Sequence, residues 1–475
     1  MTRRRKAIGL SQEDLALRIG VDVRTLRRWE TGTGDPQPWH RPKLAAELDT
    51  TLHGLDELLF PPESLAEART AQPPMSTAIT SPAHNPSATP QAQARAAWRG
   101  TRQLLNQHRG ILSAAAQHLY KADPSIPRVL TRPDWLAATP APLERVGLSW
   151  LGRVPAPRIT GSETVSAALR PPLATGGRFN RYSQAIKDLE RPSLFENRSS
   201  YRLVALGNDA DGIVMEFGHT TYFDMLDTCE AVAHEFAAAW QDTGCDPDWL
   251  ASPTQQRLPL RNAIQNPFDL SARAVLPSID TITLRRDPDR GASIFLHERN
   301  AGSVAVAGST IHVIPAGVFQ PSSVSPWDHS ADFDLWRNIM REYAEEFLGL
   351  PEADGSSGEP IDYARTEPYR SLERAREEQR LRTFFFGIVL DPLTLAAEII
   401  TAVVLDHQVF DTVFANMVQA NTEGTVVVPA GATPRAGIRF DQATMQGLLA
   451  RPSLAPAAAA CLQLAWLHRD ALLDW

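Results

Sequence analysis

SQEDLALRIGVDVRTLRRWETG, Ser11 to Gly32, decides how the amino-terminal part of the chain folds. Ser11 is placed to cap a helix, with Asp14 three residues on to complete a capping box and acidic and amide groups in the first turn. Leu15, Ala16 and Ile19 then recur at helical spacing and make one apolar face. Gly20 ends this helix, Val21 plugs the corner, and Asp22 caps a second helix. Leu26 and Trp29 form the buried side of that helix, while Val23, Arg24, Thr25, Arg27 and Arg28 face outward. Two short helices joined across a glycine corner of three or four residues are the pattern of a helix-turn-helix.

Charge agrees with this geometry. Met1 to Gly34 carries eight Lys or Arg against four acids, a local net charge of +4 in a chain of net −8. Basic charge gathered on the outer side of a capped second helix is what a duplex phosphate backbone attracts. The expected base contacts are Arg24, Thr25 and Arg28, and the expected phosphate contacts are Gln12, Arg27 and the run Arg3 to Lys6. A solvated amphipathic hairpin would need both caps, the corner and the basic face to coincide without a common cause.

These residues resemble the helix-turn-helix of the Cro/repressor-type (XRE) regulators, in the Gln after the Ser cap and in the Trp-Glu-x-Gly ending. The resemblance covers about residues 3 to 60. It implies a bundle of about five helices, with Pro42 to Leu59 supplying the later ones, and a double-stranded DNA partner. It further implies binding as a homodimer to a pseudo-palindrome, with the dimerising surface expected on Ala94 to Lys121.

Working outward, 475 residues exceed one core and fit several domains. With 43% hydrophobic and 21% charged residues the composition is that of a globular protein. No apolar run approaches the ~20 residues that span a bilayer, so the expectation is a cytoplasmic protein without a membrane partner. Cys229, Cys245 and Cys461 are odd in number and widely spaced, which fits neither a disulfide framework nor a zinc site.

The fold class expected is multidomain: an all-α bundle at residues 1–60, a Pro/Ala/Ser-rich disordered linker at 61–93, a helical and α/β region at 94–275, and an α/β domain at 276–475. Ala94 to Lys121 reads as a helix, and the Pro-rich stretch after it as short helical pieces such as DWLAATPAPLERVGLSWL. YRLVAL and GIVMEF flanking GNDAD read as a hairpin, followed by a helix from about Tyr222 to Trp240. Further strands are expected at Thr281–Arg285, Ser293–Glu298, Ser309–Ile314, Phe384–Leu390 and Thr425–Val428, with Glu398–Leu405 either strand or helix. An amphipathic helix is expected from Asp334 to Leu348, and closing helices at Gln442–Leu449 and Pro456–Leu473.

That amphipathic helix carries a second constellation. Glu342, Glu345 and Glu346 share one face at helical spacing, where like charges repel unless solvent, Arg341 or a cation compensates. RE-x-x-EE, preceded by TIHVIPAGVF, resembles the second half of the Nudix box. The resemblance implies Arg341 as the orienting arginine, the three glutamates as Mg²⁺ ligands, and an α/β/α sandwich over about Ile279 to Leu449. The pattern departs where the family has a Glu eight residues before the Arg, here Phe333, and a Gly fourteen before it, here Trp327; Gly349 falls one residue late. It therefore implies a degenerate domain sensing a nucleotide-derived effector, with no catalytic residues and no cofactor, or alternatively a metal-dependent nucleotide hydrolase tethered to DNA. Glu230 and His234 read as a helix-surface pair, and His219, Tyr222 and Asp224 as packed residues or a pocket wall.

Overall fold

The computed structural model describes residues 2–7, 10–19, 21–30, 40–48, 50, 55, 89–120, 126–192, 195–208, 212–299, 310–323, 325–351, 360–420, 424–427 and 433–474. Contacts divide the chain into two units, Met1–Ala83 and His84–Trp475. In the first, helices α1 (Thr2–Ala7), α2 (Gln12–Ile19), α3 (Val23–Glu30) and α4 (His40–Glu47) enclose Leu15, Ala16, Ile19, Leu26, Trp29, Leu44, Ala45, Leu48 and Leu55. Gly20 and residues 61–88 of the expected linker lie outside the described residues. Residues 90–93, also assigned to that linker, are instead the first turn of the next helix.

That helix, α5 (Pro90–Gln117), opens on a Thr89 cap and bends at His108. The Pro-rich stretch after it carries short 3-10 helical pieces, Pro133–Trp135, Leu143–Arg145 and Thr164–Leu169, but most of DWLAATPAPLERVGLSWL is two strands, β1 (Leu136–Pro142) and β2 (Gly147–Gly152). Pro140 and Pro142 cannot donate to a ladder, and β1 accordingly lies at a sheet edge, pairing with one neighbour. The expected hairpin is β3 (Ser199–Asn208) with β4 (Ile213–Thr221), and β2 joins it parallel to β4.

The core of the second unit is a seven-stranded sheet. Its remaining strands are β5 (Ser278–Asp287), β6 (Gly291–Ile294), β9 (Ala316–Val318), β10 (Leu381–Leu390), β11 (Ala397–Asp406) and β13 (Ile438–Arg439), and the order is β1-β10-β11-β5-β6-β13 with β9 beside β5. FFFGIVL and EIITAVVL are apolar on both faces, so they occupy central strands; β11 is thus a strand, antiparallel to β10 and parallel to β5. Because β1 pairs with β10, the division expected at residues 275 and 276 runs through the membership of one sheet.

Side chains of this sheet alternate between two apolar layers. Ile399, Val403 and Leu405 join one, with Phe385; Ile400, Ala402 and Val404 join the other, with Phe384 and Phe386. A bulge at Phe386 then reverses the alternation, so that Ile388 and Leu390 enter the first layer and Val389 the second. Gly387 follows at φ 149°, and a Cβ there would lie 2.6 Å from the Trp135 carbonyl oxygen. The helix Pro456–Leu467 covers the second layer, and the helices Leu335–Glu342, Tyr369–Glu377 and His407–Val413 cover the first.

The single strand expected at Ser293–Glu298 is two. β6 stays in the large sheet while β7 (Leu296–Arg299) joins β8 (Ile311–Val313) and β12 (Gly424–Val426). The break falls at Phe295, which is fully buried and stacked on Phe410 at 4.6 Å between ring centroids.

Candidate nucleic-acid interface

The site is built from two caps and one small core. The Ser11 hydroxyl accepts from Asp14 N–H at 3.0 Å and the Asp14 carboxylate accepts from Ser11 N–H at 3.1 Å, so α2 begins on a reciprocal capping box. Asp22 caps α3 by a one-way arrangement, accepting from Thr25 N–H at 2.9 Å and from the Thr25 hydroxyl at 2.8 Å. Between the helices Val21 N–H donates to the Ala16 carbonyl at 3.0 Å, and the Val21 side chain is half-buried against the core. Leu26 and Trp29 are buried, which turns Arg24, Arg27 and Arg28 to the exposed side of α3; Gln12 and Thr25 are half-buried beside them.

Behind this face runs a polar relay that sequence reasoning missed. Arg5 donates to both oxygens of Glu30, at 2.7 and 3.1 Å, and to the Leu10 carbonyl at 2.7 Å. Gln12 Nε2 donates to Glu30 at 2.6 Å, and Gln12 Oε1 accepts from Arg27 Nε at 2.9 Å. Burial pushes the Glu30 carboxyl up, but the Arg5 guanidinium and Gln12 amide outweigh it and hold the group below its ordinary value. Arg5 is therefore withdrawn from the set of expected phosphate contacts: it is buried, its charge satisfied inside the bundle. Arg4 Nε donates to the Leu48 carbonyl at 2.9 Å, and Lys6 is exposed. No local pattern links Arg5 to Glu30, twenty-five residues apart; the Trp-Glu-x-Gly ending was the available signal.

The three glutamates of the second unit do not form the expected metal centre. Among the described residues no three His, Cys, Asp or Glu side chains lie where one ion could bind them all. The helix Leu335–Glu342 passes into a π-helical turn, Tyr343–Phe347, which changes the phase of the face. Glu346 consequently points inward, accepting from Ala316 N–H at 2.9 Å with its other oxygen 3.7 Å from His297 Nδ1. Glu342 lies against Gly317, where a Cβ would come within 1.9 Å of its carboxylate. Arg341 is buried on the Tyr363 hydroxyl at 2.8 Å, the Gln320 carbonyl at 2.7 Å and Asp332 at 3.2 Å. The notch beside Glu342 and Glu345 measures about 10 Å³, room for one water.

Glu230 and His234 are core residues, not a helix-surface pair. Glu230 is fully buried and takes ion-pair bonds from Arg109 and, at 3.3 Å, from Arg102. His234 Nδ1 meets the Tyr182 hydroxyl at 3.0 Å, and burial pushes its imidazole down to about 3, so it is neutral. Thr221 caps the helix that starts at Tyr222, and Asp224 completes the box, accepting from the Thr221 N–H at 3.2 Å and hydroxyl at 2.7 Å, while His219 Nε2 lies 3.1 Å from Ser199 Oγ.

Two capped helices meeting at a tight corner, with a basic outer face on the second, define a helix-turn-helix DNA-binding module. The helix-turn-helix family model matches residues 2–54. The match supports a DNA-binding transcriptional regulator and ends within the first unit. No curated protein matches the chain. Among the described residues no helix is long and apolar enough to cross a membrane.

Proposed function

We propose that the chain is a sequence-specific transcriptional regulator that lays α3 in a DNA major groove, as a homodimer on a pseudo-palindromic operator, and that its second unit binds a small effector related to nucleotides. The observation that carries the DNA reading is the division of α3 into a buried edge, Leu26 and Trp29, and an exposed edge, Arg24, Arg27 and Arg28. Arg24 and Arg28 read base edges in this assignment, since arginine pairs bidentately with guanine. The Thr25 hydroxyl already donates to Asp22, which leaves its methyl for a thymine methyl. Gln12 and Arg27, tied to each other, approach phosphate as one group. An effector shifts DNA binding to the extent that it favours one of two states of the protein.

The test is selection of bound fragments from random or genomic DNA, followed by retardation of those fragments with the intact chain and with a chain lacking residues 1–60. Loss of retardation in the shortened chain is the expected result. Equal retardation by both chains overturns the assignment.

A further inference from the structure

The described residues of the second unit line a cavity of about 420 Å³, within the size range of sites that hold small molecules. One wall is Trp150, on β2, which leaves 39% of its surface open. Its ring is wedged by His329, Phe333 and Tyr201, at 4.5, 5.7 and 6.1 Å between centroids, so the indole is fixed before anything binds. A large, pre-positioned aromatic surface facing a cavity is a platform for a flat ring.

The polar side chains that line it are serines and one histidine. Ser199 Oγ sits 3.1 Å from His219 Nε2. The Ser323 hydroxyl donates to the buried Asp328 carboxylate and accepts from Ser325 N–H at 3.0 Å, which keeps its remaining lone pair for a donor on a ligand. Ser330 stands exposed on the lining. His329 is anchored through its backbone carbonyl, which accepts from the Tyr201 hydroxyl at 2.8 Å; its enclosed Nε2 has no hydrogen-bond partner among the described residues. Burial, helped by neighbouring His219, pushes the His329 imidazole below its ordinary value and keeps it uncharged at neutral pH.

No Lys, Arg, Asp or Glu is among the described residues lining this cavity. A phosphate or carboxylate entering it would shed water without gaining a Lys or Arg counter-charge. A neutral ring with hydroxyl or amine hydrogens would exchange water for the Ser199 and Ser323 hydroxyls at little cost.

We propose that this cavity binds an uncharged, hydroxyl-bearing ring compound, a nucleoside or a saccharide, stacked on Trp150. As the seat of an effector the site rests on the sensing role proposed above; as a binding site it stands apart from it. The experiment titrates the full chain calorimetrically with adenosine, its 5′-monophosphate and methyl glucoside. The expected result is one-to-one binding of an uncharged probe, with adenosine or the glucoside identifying the class and the monophosphate at least ~10-fold weaker than adenosine if the nucleoside is bound. Trp150→Ala weakens binding roughly five- to hundred-fold and Trp150→Phe restores most of it. Ser330→Trp, at an exposed position, fills the mouth and abolishes binding without touching the core, which keeps the test sound if Trp150→Ala fails to fold.

Failure of both uncharged probes to bind, binding that survives both Trp150→Ala and Ser330→Trp, or monophosphate binding as tight as adenosine binding overturns the proposal. Operator affinity is measured on the same samples. A bound probe that leaves DNA affinity unchanged retains the site and removes the sensing role.

Discussion

Helix α3 and the helix Leu335–Glu342 both carry charged residues at helical spacing, yet they use them in opposite directions. In α3 the arginines face out, because the helix rests by one edge on a core of nine buried apolar side chains among the described residues. In the second unit the helix is flanked by β5, β9 and the helix Tyr369–Glu377, and it has no single outward face. Arg341 and Glu346 are drawn into the interior, where Tyr363, Asp332 and the Ala316 N–H satisfy them. A charged stripe therefore reports a surface when its helix is packed on one side, and an internal polar network when it is packed on several.

The hardest test of this contrast is Glu30→Ala. It strands the buried Arg5 guanidinium, and removing one partner of a buried ion pair costs about 3–5 kcal/mol. A core as small as that of the first unit has little stability to spare. The expected outcome is loss of operator retardation at every salt concentration, with the main thermal transition of the second unit unchanged. Normal DNA binding by this variant would mean that the relay behind α3 is dispensable.

Acid should act on the same contrast. The Glu30 carboxyl is held below its ordinary value of 4.5, so its stabilisation is complete above that pH and is lost as pH falls through the lower folded value. Asp280, buried in the second unit, and Glu398, half-buried beside it, are pushed upward by desolvation; they favour the fold in acid and oppose it as pH rises above their ordinary values of 3.8 and 4.5. Melting followed at pH 7 and near pH 4 should show the first unit losing ground to the second. A gap between transitions that narrows in acid contradicts the assignment.

The amino-terminal reading succeeded because its signals are local. Caps three residues from their partners, a corner valine and an apolar edge at i, i+3 and i+4 are all written within one turn or two. Glu346 could not be read this way. Its direction depends on a π turn and on a strand thirty residues earlier, and neither leaves a short-range trace in RE-x-x-EE. β1 was hidden for a related reason: its prolines are tolerated because a sheet edge needs no donors there, and the edge exists through pairing with β10, over two hundred residues away.

Glu346→Ala sharpens the comparison from the other side. It removes the acceptor of the Ala316 N–H in a buried setting, and the expected cost is about 1–3 kcal/mol of second-unit stability with operator affinity intact. On α3 the expected changes are in binding. Arg28→Ala should cost ~1–3 kcal/mol on the operator and relax preference at one base pair, whereas Arg27→Ala should weaken operator and random DNA alike and flatten the salt dependence. Equal losses on both DNAs for both variants would erase the division of labour along the helix.

The smallest effect compares two caps of the same chemistry. Asp22 accepts from Thr25 N–H at the start of α3, and Asp334 accepts from Arg337 N–H, also at 2.9 Å, at the start of the acidic helix. Replacing either by Ala removes one acceptor from a helix N-terminus, a loss of about 1 kcal/mol. The backbone cap is the same, and Asp22 additionally accepts from the Thr25 hydroxyl, so a difference in outcome beyond that one exposed bond measures what stands behind the helix. In the first unit the loss is shared by one small core and should appear as weaker DNA binding on warming. In the second, Trp336, Ile339 and Met340 are buried on the large sheet and hold the helix in place, so Asp334→Ala should shift its transition by little. Two equal shifts would mean that helix ends, not packing, set the stability of both units.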